Sequence, residues 1–201
     1  MIQAERIQKL NTRKVARGRY TLYWMQQSQR AEYNHALEYA IERANSLDQP
    51  LLAVFGLTDD CPEANLRHYA FMLEGLRETQ AALQKRGVQL VVGRGNPALI
   101  ALKLGKEASL IVCDRGYLKH QKEWRYQVAD EARCLVAQVE SDVVVPVETT
   151  SDKAEFAART IRPKIHRHLK RFLVELKPRN LKRRGAVIEA QDVDPPTLSK
   201  R

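Results

Sequence analysis

The chain has 201 residues, of which 44% are hydrophobic and 29% charged, and its formal net charge at pH 7 is +10. This length and composition are typical of one globular domain with its own core, and no apolar run approaches the ~18 residues of a membrane span. The first 20 residues lack the apolar stretch of a secretory signal, so a cytoplasmic location is the default expectation. The three widely spaced cysteines favour neither a zinc site nor a disulfide framework.

The positive charge is concentrated towards the C-terminus. Residues 161–185 contain ten Lys or Arg and one Glu, a net charge of +9, so the other 176 residues sum to only +1. Such a segment can bind phosphates or an acidic partner surface, or it can be a solvated helix face or a charged linker.

From Tyr20 onward, strand-like and helix-like segments alternate. "RYTLYWM" and "PLLAVFGL" are rich in β-branched, aromatic or aliphatic residues and predict two strands, with a helix between them that Ser28 can cap. "DDCPEANLRHYAFMLEGLRETQAALQKRG" predicts a long helix with Pro62 in its first turn, ended by Gly87.

Three more strands are predicted by "VQLVVG", "SLIVCD" and "LVAQVE". The segments between them, "NPALIALKLGKEA" and "YLKHQKEWRYQVADEARC", predict helices, the first with an Asn cap followed by Pro. This alternation predicts a doubly wound, five-stranded parallel sheet of Rossmann-like α/β type, with helices on both faces and right-handed crossovers.

The pattern divides the chain into four parts. An N-terminal extension (1–19) precedes the α/β domain (20–150), and a basic helical segment (151–185), interrupted near Pro163, forms a C-terminal extension. The tail (186–201) has no periodicity and contains a Pro-Pro pair, a composition that predicts disorder.

Ligands of open parallel sheets bind outside the carboxyl ends of the strands. Three predicted strand ends provide an indole, a thioether, an amide and charged groups, which suit the faces and edges of a flat ring. "LYWMQQSQR" lacks the glycines of a phosphate-binding first turn, and its amides and large apolar side chains suit an uncharged ring system better than a pyrophosphate. The candidate pocket residues are Trp24, Met25, Gln26, Asp59, Asp114 and Arg115.

Several of these patterns have a second interpretation. Asp59 can instead cap the following helix, and Trp24 can simply pack in the core. "GRGNP" (93–97) offers backbone N–H groups that can hold an anion, or it is a plain turn. No His lies in a nucleophile motif, and no set of residues amounts to a catalytic site.

Five longer motifs, in order along the chain, resemble the N-terminal half of class II cyclobutane pyrimidine dimer DNA photolyases. The similarity extends from about Leu10 to about Leu176. The motifs are "YWMQQSQRAEYNHALEYAIERAN", "VFGLTDDCPEANLRHYAFMLEGL", "DRGYLKHQKEW", "VESDVVVPVE" and "SDKAEFAARTIRPKI".

The resemblance implies a Rossmann-like domain that can hold a light-harvesting antenna pigment, a deazaflavin or a folate. It also implies a larger C-terminal domain that binds FAD and the flipped-out dimer, where reduced flavin donates an electron that splits the cyclobutane ring. This chain has no counterpart of that domain, so we expect FAD only in a partner domain, in cis or on a separate chain. We expect DNA contact through the complete enzyme, no lyase activity of this chain alone, and no membrane partner.

In this family the basic segment (151–185) would be a linker towards the FAD-binding domain. Five of its residues have helical spacing and are candidates for a contact with DNA phosphates or with the interdomain join: Arg162, Lys164, Arg167, Lys170 and Arg171. The alternative function is a free-standing nucleotide-binding α/β protein of the stress-protein or electron-transfer-flavoprotein type, with a phosphate held at "GRGNP".

Overall fold

The computed structural model describes residues 2–58 and 64–185. The strands are β1 (Ile7–Lys9), β2 (Tyr20–Trp24), β3 (Leu51–Leu57), β4 (Gln89–Arg94), β5 (Ala108–Asp114) and β6 (Leu135–Val139). The helices are α1 (His35–Ser46), α2 (Leu66–Lys85), α3 (Pro97–Gly105), α4 (Lys119–Glu131), α5 (Val147–Thr150) and α6 (Ala158–Phe172).

All six strands form one sheet in the order β1-β6-β5-β2-β3-β4. Strands β2 to β6 are parallel to one another, which confirms the predicted doubly wound α/β fold. From β2 the chain continues through β3 and β4 on one side, and then through β5 and β6 on the other. The order of the sheet therefore reverses between β2 and β5, the usual place for a ligand in this kind of fold.

The sheet has six strands and not the predicted five. The additional strand, β1, is antiparallel to β6, with Ile7 opposite Val139 and Lys9 opposite Ala137. It lies in the segment expected to be an extension outside the domain. The prediction missed it because the strand has only three residues and two of them, Gln8 and Lys9, are exposed and polar.

The sheet separates two layers of helices, as predicted. Tyr23 belongs to the core cluster beneath α1 and α2, whereas its neighbours Leu22 and Trp24 belong to the cluster beneath α3 and α4. Successive side chains of a strand point to opposite faces, so each inner strand contributes to both clusters. Every residue of β2, β3 and β5 is buried, in agreement with strands covered on both faces.

The first helix begins later than predicted. Its cap is Asn34, whose Oδ1 accepts a hydrogen bond of 2.9 Å from the backbone N–H of Leu37. Ser28, the predicted cap, lies six residues earlier, buried in the loop after β2, where its backbone N–H donates to Asp114. The local pattern assigns Ser28 to the start of the helix, but the carboxylate of Asp114, distant in sequence, holds it in the preceding loop.

Helix α6 ends against the N-terminal segment. Phe172 is buried, with the guanidinium groups of Arg6 and Arg171 at 5.6 and 5.1 Å from its ring centroid. The helix is continuous through Pro163, where an interruption was predicted. Proline leaves the carbonyl of Arg159 without its usual partner, and this carbonyl belongs to the exposed first turn of the helix.

The last described segment, residues 178–185, lies along α1. The backbone N–H of Arg179 donates to Glu38 at 2.7 Å, and that of Lys182 donates to Asn45 at 2.8 Å. Leu181 is buried in the same core cluster as α1. No helix in the described part of the chain is long and apolar enough to cross a membrane.

Candidate functional site

A small pocket lies at the carboxyl ends of β2 and β5, where the order of the sheet reverses. Its empty space is about 240 Å³, including the part that is open to solvent. The residues that line this strand-end pocket are Trp24, Gln26, Gln27, Cys113, Asp114, Gly116, Gln121, Trp124 and Arg125.

Gln26 connects the ends of β2 and β3 beside the pocket. Its Oε1 accepts hydrogen bonds from the indole Nε1 of Trp24 at 3.0 Å and from the backbone N–H of Gly56 at 3.1 Å. Its Nε2 donates to the carbonyl of Gly56 at 2.9 Å. The amide oxygen has no capacity left for a ligand, so Gln26 positions the indole of Trp24 in the pocket wall.

Asp114, the last residue of β5, holds the loop that follows β2. Its carboxylate accepts hydrogen bonds from the Tyr23 hydroxyl at 2.7 Å and from the backbone N–H groups of Gln27 and Ser28 at 2.9 and 2.8 Å. Burial raises the pKa of Asp114 to about 6, although these donors favour the ionised form. The carboxylate fixes one edge of the pocket.

The same loop is attached to the residues after β6. Asp142 accepts hydrogen bonds from the Ser28 hydroxyl at 3.0 Å and from the Arg30 guanidinium at 2.7 Å. Asn34 also donates to the Tyr23 hydroxyl at 2.8 Å. Since the loop is fixed at both ends, its polar groups provide a preorganised edge for the pocket.

Helix α4 provides the opposite wall. Trp124 is half-buried and meets the His120 ring edge-on, with the ring centroids 4.9 Å apart. The Nε2 of Gln121 donates to the Oε1 of Gln27 at 2.6 Å, so two amides bridge the pocket from α4 to the β2–α1 loop. A Cβ at Gly116 would lie 2.3 Å from the Gln121 Oε1, so this glycine leaves the room that the bridge needs.

Arg125 lines the pocket one turn after Gln121 on α4. It is 9% exposed, its Nε donates to the Oε1 of Gln138 at 3.0 Å, and its Nη1 donates to the backbone carbonyl of Gln121 at 3.2 Å. Burial lowers the pKa of Arg125. In the described residues no carboxylate lies within ion-pair distance of its guanidinium.

The structure brings together three of the six candidate pocket residues, namely Trp24, Gln26 and Asp114. Met25 is fully buried on the other face of the sheet, in the cluster beneath α1 and α2, because neighbouring side chains alternate between the faces. Asp59 lies outside the described residues.

Arg115 does not line the pocket. Its guanidinium pairs with the carboxylate of Glu148 and lies 3.4 Å from that of Glu140. Glu140 is buried and also accepts hydrogen bonds from the Tyr117 hydroxyl and from the backbone N–H of Val147. Arg115 therefore connects the end of β5 to α5.

The pocket residues on α4 were not predicted, because the strand-end rule considers only the residues at the carboxyl ends of strands. Gln121, Trp124 and Arg125 stand at positions i, i+3 and i+4 of the helix that follows β5, and this spacing places them on one helical face. A search of the helix after each candidate strand for such a polar and aromatic face would have found them.

The "GRGNP" segment has the geometry of a turn with a capped helix. The Oδ1 of Asn96 accepts hydrogen bonds from the backbone N–H groups of Ala98 and Leu99 at 2.9 and 3.2 Å. Gly95 has a φ of +127°, a conformation that favours glycine. Two donors at the start of α3 are thus already used by Asn96.

The five basic candidates on α6 fall into two groups. Lys164 pairs with Glu155 at 2.5 Å, and Arg171 pairs with Glu5. The others are exposed and have no carboxylate partner in the part of the chain that the structure describes: Arg162, Arg167 and Lys170. The structure therefore leaves one basic face of α6 accessible.

The described residues contain no group of three or more His, Cys, Asp or Glu side chains that could hold a metal ion. Cys113 and Cys134 are buried free thiols, and burial raises their pKa values to about 12 and about 11. Both thiols are therefore protonated at neutral pH, which does not suit a nucleophile.

The sequence is similar to the N-terminal parts of known DNA repair enzymes. A deoxyribodipyrimidine photo-lyase of Methanothermobacter thermautotrophicus is 54% identical over 196 residues, which cover 97% of this chain and 43% of the relative. One of Potorous tridactylus is 35% identical over 177 residues, covering 86% of this chain and 33% of the relative. The chain thus spans less than half the length of the curated relatives it matches.

A solved structure supports the fold. An archaeal photolyase from Sulfolobus tokodaii, whose structure with two FAD molecules implies a novel light-harvesting cofactor, superposes with a TM-score of 0.62 at 16% identity. The match covers 73% of this chain and 35% of that one. The sequence model of the family described as DNA photolyase matches residues 21–182, which include the sheet from β2 onward and all of α6. This chain belongs to the DNA photolyase family.

Proposed function

We propose that this chain is the antenna-type N-terminal domain of a class II cyclobutane pyrimidine dimer photolyase. It acts in light-dependent DNA repair when joined to an FAD-binding domain. The observation that carries the antenna role is the strand-end pocket, which lies at the reversal point of the sheet and has Trp24 and Trp124 in its lining. An antenna site needs a slot for a flat chromophore and a fixed orientation, and no acid, base or nucleophile.

The chemistry of the pocket suits a planar ring with polar edges. Trp124 offers a half-buried indole, beside the indole of Trp24, which is 1% exposed, and the amides of Gln27 and Gln121 can hydrogen-bond ring nitrogens and carbonyls. A deazaflavin or a folate ring has this combination of faces and edges. We propose one of these pigments as the ligand.

The size of the pocket requires a local movement. Ligand pockets usually measure ~300–1,000 Å³, whereas the closed part of this pocket has a cavity volume of only about 10 Å³. The hydrogen bond between Gln27 and Gln121 is the contact that has to open, because it joins the two walls and both side chains are near the surface. Once this hydrogen bond is broken, the two side-chain amides are free to bind the edge of the ring.

The partner of this domain is proposed from the family. The FAD-binding domain would supply the flavin, the dimer pocket and the carbon–carbon lyase reaction, in cis or on a second chain, and DNA would bind to the complete enzyme. The cytoplasmic location expected from the sequence stays a prediction.

We also propose a role for the exposed basic face of α6, defined by Arg162, Arg167 and Lys170. Leu173, which is 68% exposed, follows Arg162 by three helical turns and so lies on the same side of the helix axis. A surface that mixes cations with an exposed apolar side chain fits a protein partner better than a phosphate backbone. The following domain is therefore our preferred partner for this face, and DNA is the alternative.

The other candidate function, a free-standing nucleotide-binding protein, is less favoured. It needs a phosphate-binding turn, and at "GRGNP" the side chain of Asn96 already accepts from two backbone N–H groups at the start of α3. Calorimetry with ATP, AMP and FAD tests it directly.

The antenna role is tested by ligand binding. The protein is mixed with 8-hydroxy-5-deazariboflavin or with 5,10-methenyltetrahydrofolate, and ligand absorbance and fluorescence anisotropy are followed. We expect one of them to bind, and Trp124→Ala to weaken its binding by about tenfold, since loss of an aromatic stacking partner costs ~1–3 kcal/mol. The control is Tyr126→Ala, which removes an aromatic ring of the same helix outside the pocket. Absence of binding by the folded protein rejects the antenna role for this chain.

A further inference from the structure

The segment that leads from β1 into β2 carries a run of cations. Residues 6–19 contain six Lys or Arg and no Asp or Glu, and the first 19 residues have a net charge of +5. Residues 20–160, with 16 Lys or Arg and 19 Asp or Glu, have a net charge of −3. The N-terminal cations are therefore a local feature of a slightly acidic α/β domain.

The backbone of this segment is fixed across the amino ends of the strands. The backbone N–H of Leu135, the first residue of β6, donates to the carbonyl of Lys14 at 3.0 Å. The backbone N–H of Ala16 donates to the carbonyl of Ser109, near the start of β5, at 2.9 Å. The chain thus passes the amino ends of β6 and β5 before it enters β2, and it is attached to both strands.

The basic strip, as we call it here, consists of four exposed cations of this segment: Arg13, Lys14, Arg17 and Arg19. Arg19 pairs with Glu107 at 2.7 Å. In residues 2–58 and 64–185, no carboxylate lies within ion-pair distance of the other three. Arg13 donates instead to the backbone carbonyl of Asp130 at 2.6 Å. Most of the positive charge of the strip is therefore open to an anionic partner.

The surroundings of the basic strip fit a phosphate backbone better than a protein surface. None of residues 10–19 is an exposed large apolar side chain. Protein interfaces have an apolar core, whereas Lys and Arg make many of the contacts with nucleic-acid phosphates. From β6 to β2 the strip crosses two strand spacings, about 10 Å. That length can face several phosphates, because duplex DNA carries one charge per ~1.7 Å of its axis.

We propose that the basic strip is a contact surface for the phosphate backbone of double-stranded DNA. Because its backbone is already fixed, only the cationic side chains have to be ordered on binding. Phosphate contacts carry no sequence information, so the strip would increase affinity and the rate of association without selecting a sequence. It lies at the end of the strands opposite the strand-end pocket, and it does not depend on the proposed antenna function.

The salt dependence of DNA binding by the whole chain tests this proposal. The fluorescence anisotropy of a labelled, undamaged duplex of about 20 base pairs is followed between roughly 50 and 200 mM KCl. Changing Arg13, Lys14 and Arg17 to Gln should reduce the slope of log affinity against log salt by about three units. It should also weaken binding at least about tenfold at roughly 100 mM KCl.

The matched control changes Arg67, Arg77 and Lys122 to Gln. These are exposed cations of α2 and α4, so the two variants have the same net charge. The control should alter the slope by less than about one unit. Equal losses in the two variants would show that DNA responds only to the total charge and would overturn the proposal, as would absence of DNA binding by the wild-type protein. Circular dichroism reports whether each variant is folded.

Lysine acetylation of the wild-type protein provides a measurement that needs no variant. Duplex DNA at low salt should protect Lys14 from acetylation, whereas Lys122 should react equally with and without DNA, as measured by mass spectrometry. Unprotected Lys14 contradicts the proposal. Competition with poly-L-glutamate at equal charge concentration distinguishes phosphates from an acidic protein surface. If it displaces the labelled duplex as well as unlabelled duplex does, DNA is rejected as the specific partner of the basic strip.

Discussion

The hydroxyl of Tyr23 donates a 2.7 Å hydrogen bond to the carboxylate of Asp114, so the ends of β2 and β5 are joined by side chains as well as by the sheet. The same carboxylate accepts from the backbone of the β2–α1 loop at Gln27 and Ser28. One buried acid thus fixes a strand, its neighbour and the edge of the strand-end pocket.

Asp114 should make the stability of the protein depend on pH. Its pKa is about 6 in the folded protein and near 3.8 in the unfolded chain, so folding favours the protonated form. The resulting stabilisation is fully present below about pH 4 and is lost as the pH rises through about 6, a difference on the order of 3 kcal/mol. Urea unfolding between pH 4.5 and 7.5 should show wild-type protein losing more stability with rising pH than Asp114→Asn.

The control for this prediction is Asp130→Asn, which removes an exposed carboxyl group from α4. A carbon-13 NMR titration of the Asp114 carboxyl provides a direct measurement of its pKa. A midpoint near 4 would contradict the prediction.

Gln26→Ala should destabilise the protein much more than the same change at the neighbouring residue. It leaves the indole N–H of Trp24 and the backbone N–H of Gly56 without their acceptor, which should cost about 2 kcal/mol or more. Gln27→Ala removes only the exposed bridge to Gln121, so its cost should be below about 0.5 kcal/mol. Denaturant unfolding followed by circular dichroism measures both; equal costs would show that the Gln26 contacts do not stabilise the fold.

Alanine substitutions at two glycines should have opposite effects. At Gly56 the new Cβ would lie 2.6 Å from the Cα of Pro97, at the start of α3, so we expect a loss of about 1–3 kcal/mol. At Gly75, within α2, no atom lies within 4 Å of the new Cβ. Alanine there should stabilise the helix by about 0.5–1 kcal/mol. Thermal unfolding of the two variants checks the signs, and a neutral Gly56→Ala would mean that α3 can shift.

The exposed face of α6 can be tested for DNA binding. If Arg162, Arg167 and Lys170 contact phosphates, changing all three to Gln should reduce the salt dependence of duplex binding by about three units of slope. Changing Lys85, Lys122 and Arg133 to Gln removes three exposed cations elsewhere and is the control. An unchanged slope, or no DNA binding by either protein, favours the contact with the following domain that we prefer.

The fold was predictable because the local sequence is sufficient to identify most of its strands. β3 and β5 are apolar along nearly their whole length, and a helix-length segment with a Gly or Asn boundary follows each. β1 was not predictable, since "IQK" has no alternation of apolar and polar residues and is a strand only because β6 lies beside it.

The candidate site was predictable only in part. The strand-end rule reached Trp24, Gln26 and Asp114, which line the pocket. The rule does not distinguish the two faces of a strand end. It therefore wrongly included Met25, which lies on the opposite side of the sheet from Trp24. The wall on α4 depends on how the helix packs over β5, and strand patterns contain no information about that packing.

The antiparallel direction of β1 has a practical consequence for labelling and immobilising the protein. Because β1 pairs with β6 in reverse, Ile7 lies opposite Val139, and Arg6 donates to the carbonyls of Val143 and Val144, so β1 begins at the same end of the strands as the pocket. Gly185 lies at the opposite end of the strands, since the side chain of Arg184 packs against Gly87, just before the first residue of β4. A dye attached at the start of β1 would therefore report on a ligand of the pocket at short range, whereas attachment at Gly185 would tether the domain to a surface with its pocket facing the solution.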